Sequence, residues 1–525
     1  MSDFDEIFDF VIVGSGGGSM CAALVMRAAG KSVLILEKTD MIGGTTARSG
    51  GVMWIPNNPF MKLAGIEDSY EKAVTYLDNT VGDHDDTPGT SPERRSTYVQ
   101  EGPRMVDFLL KQGIKLTRLL YYPDYYDERP GSSVPGRAVV AELFNAAELG
   151  AWRTKLRASA VVLPFLPASL PEMLVLKTLN QSWKAKMTLL KVVLRGLTAK
   201  LTGRHWVSSG AALQGRMLQA ALRAKVDVRT DTPVRELVVE GGAVKGVVAI
   251  IDGRARRLGA RLGVLVNAGG FARNQEMRDR YQPGTSANWS KATPGDTGEM
   301  IQEMMRHGAA IAQMEEFIGD QMTIPPGMEN DELKPTMQVL TAAPHTILVD
   351  QSGVRYLNES GSYMDYTKAM LERNKVVPAV PSWAIFDSQF LRKYMFVPGT
   401  KPGSKVPRRW IDEGYLRKAD TVEGLAGSLK IEPATLKATV DRFNGFVARN
   451  RDEDFHRGDN AYNRFIGDTY NKPSASLGTI AEPPFYAIPI IPGDLGTCGG
   501  VVTDTHARVL REDGTVIPGL YATGS

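Results

Sequence analysis

The residues with the clearest chemical meaning form a glycine-rich run near the N-terminus. The run is Gly14-Ser15-Gly16-Gly17-Gly18-Ser19, preceded by Phe10-Val-Ile-Val13 and followed by Val33-Leu-Ile-Leu36. The first glycine permits a tight turn, the second lets backbone approach a pyrophosphate, and the third lets the next helix pack closely. Glu37 ends the second apolar segment, where a carboxylate accepts hydrogen bonds from ribose hydroxyls. This spacing predicts a dinucleotide-binding βαβ unit rather than an ordinary glycine turn.

A second loop of small and hydroxyl-bearing residues favours FAD as the dinucleotide. It contains Lys38, Gly43, Gly44, Thr45, Thr46, Ser49, Gly50 and Gly51. Two such loops suit the ribityl and isoalloxazine end of FAD, which NAD would not reach. The turns Ala268-Gly269-Gly270 and Gly524-Ser525 resemble the flavin-proximal turns of glutathione-reductase-like proteins, although each alone is also typical of a β-turn. We add Val234, the first residue of a predicted strand, to the cofactor-binding set.

Composition excludes several classes of protein. A chain of 525 residues with 43% apolar content predicts roughly two or three globular domains. A net charge of +3 with no basic reader motif argues against nucleic acid. Cys21 and Cys498 have neither metal nor redox spacing, so we expect no metal and a reducing, cytoplasmic location. We expect no cleavable signal at the acidic N-terminus, and no apolar run reaches the ~20 residues of a membrane span.

The motifs at both ends predict an α/β protein with a discontinuous Rossmann-like, glutathione-reductase-like FAD domain and an α+β catalytic domain. The predicted domain ranges are 1–314 and 491–525 for FAD binding and 315–490 for substrate. Helices are predicted at 211–224, 364–373 and 433–449, and strands at 226–230, 234–239, 244–251, 345–350 and 355–358.

The segment 151–204 is unusually basic and apolar. Its ten lysines and arginines are opposed only by Glu172, and they alternate with leucine, valine and Trp183. Such a pattern is typical of a helix at a lipid interface, where apolar burial and attraction to anionic headgroups add. We expect peripheral contact with the inner face of the membrane. The alternative is a helical hairpin packed on this chain or on a second subunit.

Several segments, spread in order over nearly the whole chain, carry a family resemblance. They are Glu37-Lys-Thr39 with Gly43-Gly-Thr-Thr46 and Ser49-Gly-Gly51, Pro123-Asp-Tyr-Tyr126, Ala268-Gly-Gly-Phe271 with Asn274-Gln-Glu-Met-Arg278, Arg355-Tyr-Leu-Asn-Glu-Ser-Gly-Ser-Tyr363, Phe455-His-Arg-Gly458 and Gly493-Asp-Leu-Gly-Thr-Cys-Gly-Gly500. In these segments the chain resembles the 3-ketosteroid dehydrogenases of the Δ1 type, within the fumarate-reductase-like flavoprotein superfamily.

The resemblance implies 1,2-dehydrogenation of a 3-oxo-4-ene steroid to the 1,4-diene-3-one. The C3 carbonyl acidifies the C2 hydrogen, so the reaction needs a base on one face and flavin N5 as hydride acceptor on the other. Tyr363 matches the family's base, and Tyr125 matches the tyrosine that hydrogen-bonds to it and eases its deprotonation. Tyr126 is expected to serve packing. A quinone or soluble carrier is expected to reoxidise the flavin.

Two departures from the family pattern affect these expectations. Cys498 stands where the family usually has lysine, and a thiol near flavin could be oxidisable. Family members continue beyond the Ala-Thr-Gly turn into a helix that supplies flavin contacts and polarises the C3 carbonyl. From the resemblance we expect a C-terminal truncation at Ser525, with poor FAD binding and little activity.

Three other functions stay open at this stage. Two are enzymes of the same superfamily, a 3-ketosteroid Δ4-(5α)-dehydrogenase and a fumarate-reductase-like reductase of short dicarboxylates. The reductase would need arginines and a histidine around a dianion. The third is a catalytically silent flavoprotein that serves as a membrane-binding module.

Overall fold

The computed structural model describes residues 4–82, 88–163, 166–177, 179, 182–397 and 400–524. The strands found there are β1 (Glu6–Val13), β2 (Val33–Leu36), β3 (Met53–Trp54), β4 (Leu116–Arg118), β5 (Ala138–Ala141), β6 (Phe144–Asn145), β7 (Trp206–Val207), β8 (Asp227–Arg229), β9 (Val234–Glu240), β10 (Ala243–Ile251), β11 (Arg254–Val266), β12 (Ile311–Ala312), β13 (Phe317–Met322), β14 (Thr346–Val349), β15 (Ser382–Asp387), β16 (Arg417–Ala419), β17 (Phe485–Thr497), β18 (Gly500–Val501), β19 (Arg508–Leu510) and β20 (Val516–Ala522).

The helices alternate with these strands along the chain. They are α1 (Gly17–Ala28), α2 (Gly44–Arg48), α3 (Pro59–Leu63), α4 (Tyr70–Val81), α5 (Pro92–Lys111), α6 (Leu170–Leu176), α7 (Trp183–Thr202), α8 (Ser209–Arg223), α9 (Gln275–Tyr281), α10 (Glu299–Arg306), α11 (Gln338–Ala342), α12 (Tyr363–Asn374), α13 (Ser388–Lys393), α14 (Arg408–Asp412), α15 (Val422–Leu429), α16 (Pro433–Arg449) and α17 (Ala461–Ile466). Short 3-10 helices lie at Pro88–Thr90, Ala146–Lys155 and Ala287–Trp289.

The larger sheet is built around the first strand. Its order is β19-β20-β11-β1-β2-β8, with β1, β2, β8, β11 and β20 parallel, and β10 and β9 continue antiparallel from the first half of β11. Phe10 and Ile12 of β1 pack with α1 and α8, whereas Val11 and Val13 pack on the opposite face with α10 and β10. Burial on both faces explains the continuous apolar run of β1. The α/β, Rossmann-like fold class predicted from the sequence is confirmed.

The second sheet is antiparallel and has the order β13-β17-β15-β14, with β16 paired to β17. Helix α12 covers one of its faces and helices α15 and α16 cover the other. The 13-residue strand β17 passes through position 490, where the sequence predicts a domain boundary, and ends at Thr497 beside the first sheet.

The helices and strands predicted from the sequence agree with the structure in all but one segment. The helices predicted at 211–224, 364–373 and 433–449 correspond to α8, α12 and α16. The strand predicted at 355–358 was wrong, because that segment is irregular. Side chains satisfy backbone groups around it: Asp350 accepts from the N–H groups of Ser352 and Val354, and Glu359 accepts from that of Leu348.

Candidate active site

The glycine loop between β1 and α1 turns as its sequence predicts. Gly14 has φ of +94°, and a Cβ atom there would lie 2.1 Å from the carbonyl oxygen of Asn267. Glycine is therefore required both by the backbone conformation and by the close approach of the chain after β11. Asn267 also accepts hydrogen bonds from the N–H and hydroxyl of Ser19, at 3.1 and 2.9 Å, which holds α1 against that turn.

A serine hydroxyl joins the two glycine-rich loops. Ser15 Oγ donates to Oε2 of Glu37 at 2.6 Å and accepts from the N–H of Gly43 at 2.9 Å. Thr39 donates to the other oxygen of Glu37 through both its N–H and its hydroxyl. The Glu37 carboxylate is thus fixed at the carboxyl end of β2, which is the position expected of a ribose-binding acid.

A buried carboxylate supports the turn after β11. Gly269 has φ of +79°, and a Cβ atom there would lie 2.3 Å from Oδ1 of Asp296. Burial raises the pKa of Asp296 to about 6, against the lowering effect of hydrogen bonds from the backbone N–H groups of Gly270 and Ala272. Asp296 therefore positions the turn, and its charge changes in a mildly acidic range.

These loops enclose a cleft of about 240 Å³ between the two sheets. Of the residues predicted to bind the cofactor, those on its wall are Gly14, Ser15, Gly16, Gly17, Gly18, Glu37, Lys38, Gly44, Thr45, Thr46, Val234, Ala268, Gly269, Gly270 and Gly524. Ile318 of β13 and Leu495, Gly496 and Thr497 of β17 also line the cleft, from the second sheet. A second cleft of about 620 Å³ shares Ala268, Gly269, Met300 and Gly524 with the first, so the two clefts are neighbours.

The remaining predicted cofactor residues lie elsewhere. Ser19 is buried behind the loop, and Gly43, Ser49, Gly50 and Gly51 lie outside the wall of the cleft. Gly51 instead lets the chain approach Gly210 of α8, where a Cβ atom would lie 2.7 Å from its nitrogen. Ser525 lies outside the residues that the structure describes.

The donor set of the cleft fits FAD. Backbone N–H groups at the start of α1 suit a pyrophosphate, and Glu37 suits a ribose. The glycines leave space where side chains would block a ligand, and the neighbouring clefts of about 240 and 620 Å³ provide room for a cofactor.

Two tyrosines that are 238 positions apart meet through their hydroxyls. The oxygens of Tyr125 and Tyr363 are 3.0 Å apart, and their rings meet edge to face with centroids 5.3 Å apart. The oxygen of Tyr122 lies 3.5 Å from that of Tyr125, at the outer limit of a hydrogen bond. All three residues are partly exposed, although their hydroxyls are largely desolvated. Tyr126 points away, donating to Asp365 at 2.9 Å.

Burial raises the pKa of Tyr363 above its ordinary value of 10, and the nearby Tyr122 raises it further. The hydrogen bond from Tyr125 acts in the opposite direction and lowers the pKa of Tyr363. Burial raises the pKa of Tyr125 well above that of an ordinary phenol. The hydrogen bond between the two hydroxyls, in which either oxygen can donate, is therefore the contact that can stabilise a phenolate here.

Buried charges fix the loop that carries Tyr125. Arg137 donates to Asp124 at 2.8 Å and to Asp68 at 2.7 Å, and all three side chains are almost completely buried. Asp124 also accepts from the indole of Trp54 at 2.6 Å. Asp127 accepts from two N–H groups at the start of α17. The loop that carries Tyr125 is thus held by the ion pairs of Arg137 and by the start of α17.

A second buried network fixes Tyr363 at the first turn of α12. Glu359 pairs with Arg355 at 2.7 Å and with Arg457 at 3.1 Å, and Arg355 also pairs with Asp452 at 2.9 Å. All four side chains are nearly inaccessible to solvent. This explains why the segment from Arg355 to Tyr363 is irregular but well fixed.

Cys498 lies on the wall of the larger cleft. Desolvation raises the pKa of its thiol to about 11, and the carboxylate of Glu316 adds to the effect.

Sequence reasoning missed four residues that support the site. They are Tyr122, Arg137, Asn267 and Asp296, and the local sequence around Tyr122, Arg137 and Asp296 gives no sign of their tertiary contacts. A partial signal existed for Asn267, which directly precedes the Ala268-Gly-Gly turn.

Comparison with known proteins identifies the type of molecule. The family described as FAD binding domain matches residues 9–525. The 3-oxosteroid 1-dehydrogenase of Mycobacterium tuberculosis is 37% identical, with 99% of this chain and 92% of that protein covered. The 4-oxocyclohex-2-ene-1-carboxylate 5-dehydrogenase of Sinomonas cyclohexanicum is 32% identical, with 98% and 88% covered.

A solved structure agrees with these matches. The 3-ketosteroid delta1-dehydrogenase from Sterolibacterium denitrificans, in complex with 1,4-androstadiene-3,17-dione, superposes with a TM-score of 0.90 at 34% identity. The alignment covers 99% of this chain and 93% of that one. The cofactor predicted from the two glycine-rich loops is confirmed as FAD. The chain is an FAD-dependent oxidoreductase and belongs to the 3-oxosteroid 1-dehydrogenase family.

Proposed function

We propose that the protein removes hydrogens from C1 and C2 of 3-oxo-4-ene steroids and forms 1,4-diene-3-ones. The observation that carries the proposal is the pair of hydroxyls of Tyr125 and Tyr363, 3.0 Å apart. The names of the relatives and of the superposed structure support the same reaction.

The chemistry of the substrate gives each tyrosine a role. The C3 carbonyl makes the C2 hydrogen acidic, so a tyrosinate can remove it. Tyr363 is the proposed base, and Tyr125 stabilises its anion by donating a hydrogen bond. Bound FAD supplies the hydride acceptor for the C1 hydrogen.

We assign the cofactor to the cleft between the sheets. The Gly14–Gly18 loop would hold the pyrophosphate, Glu37 the ribose, and the second loop with the Ala268–Gly270 turn the flavin portion. We extend the assignment to Asp296, because it holds this turn through the N–H groups of Gly270 and Ala272. A quinone or soluble carrier would reoxidise the flavin. We also propose a cytoplasmic protein in peripheral contact with the inner membrane face through 151–204.

The test replaces each hydroxyl singly in the FAD-loaded protein. Tyr363→Phe and Tyr125→Phe should each lower 1-ene formation at least about 100-fold while FAD stays bound. Tyr126→Phe is the matched control, because its hydroxyl bonds to Asp365 and should affect turnover less than about threefold. Anaerobic bleaching of the flavin with product analysis measures the effect. Unaltered oxidation by both variants would contradict the assignment.

The same assay should also include a second class of substrate. The Sinomonas relative, 32% identical, acts by its name on a cyclic ketone that carries a carboxylate. A panel of 3-ketosteroids, 5α-reduced steroids, 4-oxocyclohexenecarboxylate and fumarate separates the candidates. Faster bleaching by the small ketone would replace the steroid proposal, turnover of fumarate would indicate the reductase, and no turnover with any would favour the silent flavoprotein.

A further inference from the structure

The most unusual surface of the molecule lies on α7. Six large apolar side chains recur at intervals of three or four residues, and each is about half or more exposed. They are Trp183, Met187, Leu190, Leu194, Leu197 and Leu201. At 3.6 residues per turn these positions lie within about 80° of one another, so they form one continuous row. Trp183 and Leu201, at its two ends, are 74% and 87% exposed.

The opposite face of α7 holds the helix on the protein. Its buried residues are Ala185, Val192 and Ala199, seven positions apart. The same helical geometry places this seam about 180° from the exposed row. The helix thus presents four of its five leucines outward while two alanines and one valine are buried on the inner face, the reverse of an ordinary surface helix.

The charged residues of α7 are all basic. Between 182 and 204 there are six lysines and arginines and no aspartate or glutamate. The acid nearest in sequence, Glu172 of α6, is already paired with Arg195 at 2.7 Å and Lys191 at 3.2 Å. Lys184 and Lys186 flank the row on either side, where long side chains can reach headgroups while the leucines enter the acyl region.

Helix α6, which packs beside α7, lies close to the tyrosine site. Leu170 and Leu174 of α6 pack against the same buried apolar cluster as Tyr122. The ring of Tyr122 also meets that of Phe465, with centroids 5.0 Å apart. A substrate leaving lipid at α6 and α7 would therefore arrive beside the hydroxyls of the proposed base pair.

We infer that the exposed row of α7 inserts into the interface of an anionic phospholipid bilayer and brings the tyrosine site to the lipid surface. The inference deepens the membrane contact proposed above, and the part that concerns substrate delivery rests on the proposed steroid oxidation. A second copy of the chain fits the row less well, because an isologous contact would bring two basic helices together. Among the described residues no helix has the length and apolar character to cross a bilayer, so the contact is peripheral.

Sedimentation of the FAD-loaded full chain with vesicles tests the inference. Wild type should pellet with vesicles of mixed phosphatidylglycerol and phosphatidylcholine, and less as salt is raised. Leu194→Glu with Leu201→Glu should weaken binding at least about tenfold, because buried apolar area is lost and charge is added. Lys184→Gln with Lys186→Gln, which removes the two lysines that flank the row, should reduce the salt dependence.

Val376→Glu is the matched control, since Val376 is 80% exposed just beyond the end of α12. It should pellet like wild type. Equal pelleting of the leucine variant and this control would overturn the inference. Dissociation of a wild-type dimer by the leucine substitutions, without vesicle binding, would assign the row to a second copy instead.

Turnover separates this inference from the proposed function. The leucine variant should oxidise a soluble 17-keto steroid within about twofold of wild type, yet oxidise a vesicle-embedded steroid with a long side chain at least about tenfold more slowly. Vesicle binding without turnover of any steroid would contradict the proposed steroid oxidation but would still support the lipid contact. Equal turnover of the embedded steroid would overturn the delivery role.

Discussion

At the scale of single residues, the chemistry of the site depends on two opposing effects on one phenol. Burial raises the pKa of Tyr363, and the hydrogen bond from Tyr125 lowers it. Because a neutral phenol cannot remove a C2 proton, the fraction of Tyr363 in its anionic form limits the proposed reaction. The hydroxyl of Tyr125 therefore matters more for its effect on that equilibrium than for its contacts in the ground state.

This leads to a prediction about pH. For wild type, kcat/KM should rise with pH through the alkaline range, because the phenolate fraction rises and the pKa of Tyr363 lies above 10. Tyr125→Phe should displace the rise to higher pH, since the hydrogen bond that lowers this pKa is lost. Steady-state rates across pH measure the displacement. An unchanged profile in Tyr125→Phe would contradict the role of that hydroxyl.

A second prediction concerns Gly269. Gly269→Ala should weaken FAD binding at least about tenfold, because its Cβ atom would meet Asp296 Oδ1 at 2.3 Å and displace the flavin-side turn. Gly253→Ala is the control: Gly253 has a similar φ of +75° but nothing within 4 Å, so only backbone strain of about 1 kcal/mol remains. Fluorescence titration with FAD compares them. Equal affinities would show that the close approach has no role.

The sequence predicted part of this site. The glycine loop and Glu37 lie within one local unit, so their spacing was sufficient. Tyr363 and Tyr125 came from resemblance alone, since no local pattern joins positions 238 residues apart. Asp296 was missed because its role depends on burial against the Ala268–Gly270 turn.

At the scale of elements, buried ion pairs hold irregular segments in place. The tyrosine loop between β4 and β5 depends on Arg137 with Asp68 and Asp124. The approach to α12 depends on Arg355, Glu359 and their partners. Hydrophobic periodicity predicted the helices well, but it carries no information on such networks. The prediction of a strand at 355–358 was wrong for this reason.

Arg137→Met tests the first network. It should destabilise the protein by about 3–5 kcal/mol, because Asp68 and Asp124 would be left buried without their counter-charge. Arg104→Met, whose side chain is 75% exposed and pairs with Glu101, should change the free energy of unfolding by less than about 0.5 kcal/mol. Urea denaturation of both variants gives the comparison. A loss below about 1 kcal/mol in Arg137→Met would contradict the proposed anchoring.

At the scale of the whole molecule, the cofactor cleft has walls from both sheets. The Gly14–Gly18 loop and the Ala268–Gly270 turn come from the first sheet, and Ile318 and Leu495–Thr497 come from the second. A ligand that fills the cleft is therefore coupled to the stability of both.

FAD should stabilise the molecule as a unit. At 100 times its Kd, it should add about 2.7 kcal/mol to the free energy of unfolding and protect amides of β1 and β17 together. NAD should protect neither strand. Hydrogen exchange with and without each nucleotide measures this. Protection confined to β1 would contradict a cleft shared by the two sheets.

The pairing of β20 with β11 also has a consequence for biosynthesis. Leu520 of β20 pairs with Val264 of β11, and the residues of the whole second sheet lie between them in the sequence. A ribosome that adds ~5–20 residues per second needs roughly 10 to 50 s to pass from one strand to the other. During that interval the nascent chain exposes an open edge at β11, so early capture of FAD or shielding by a chaperone would govern the yield of folded protein.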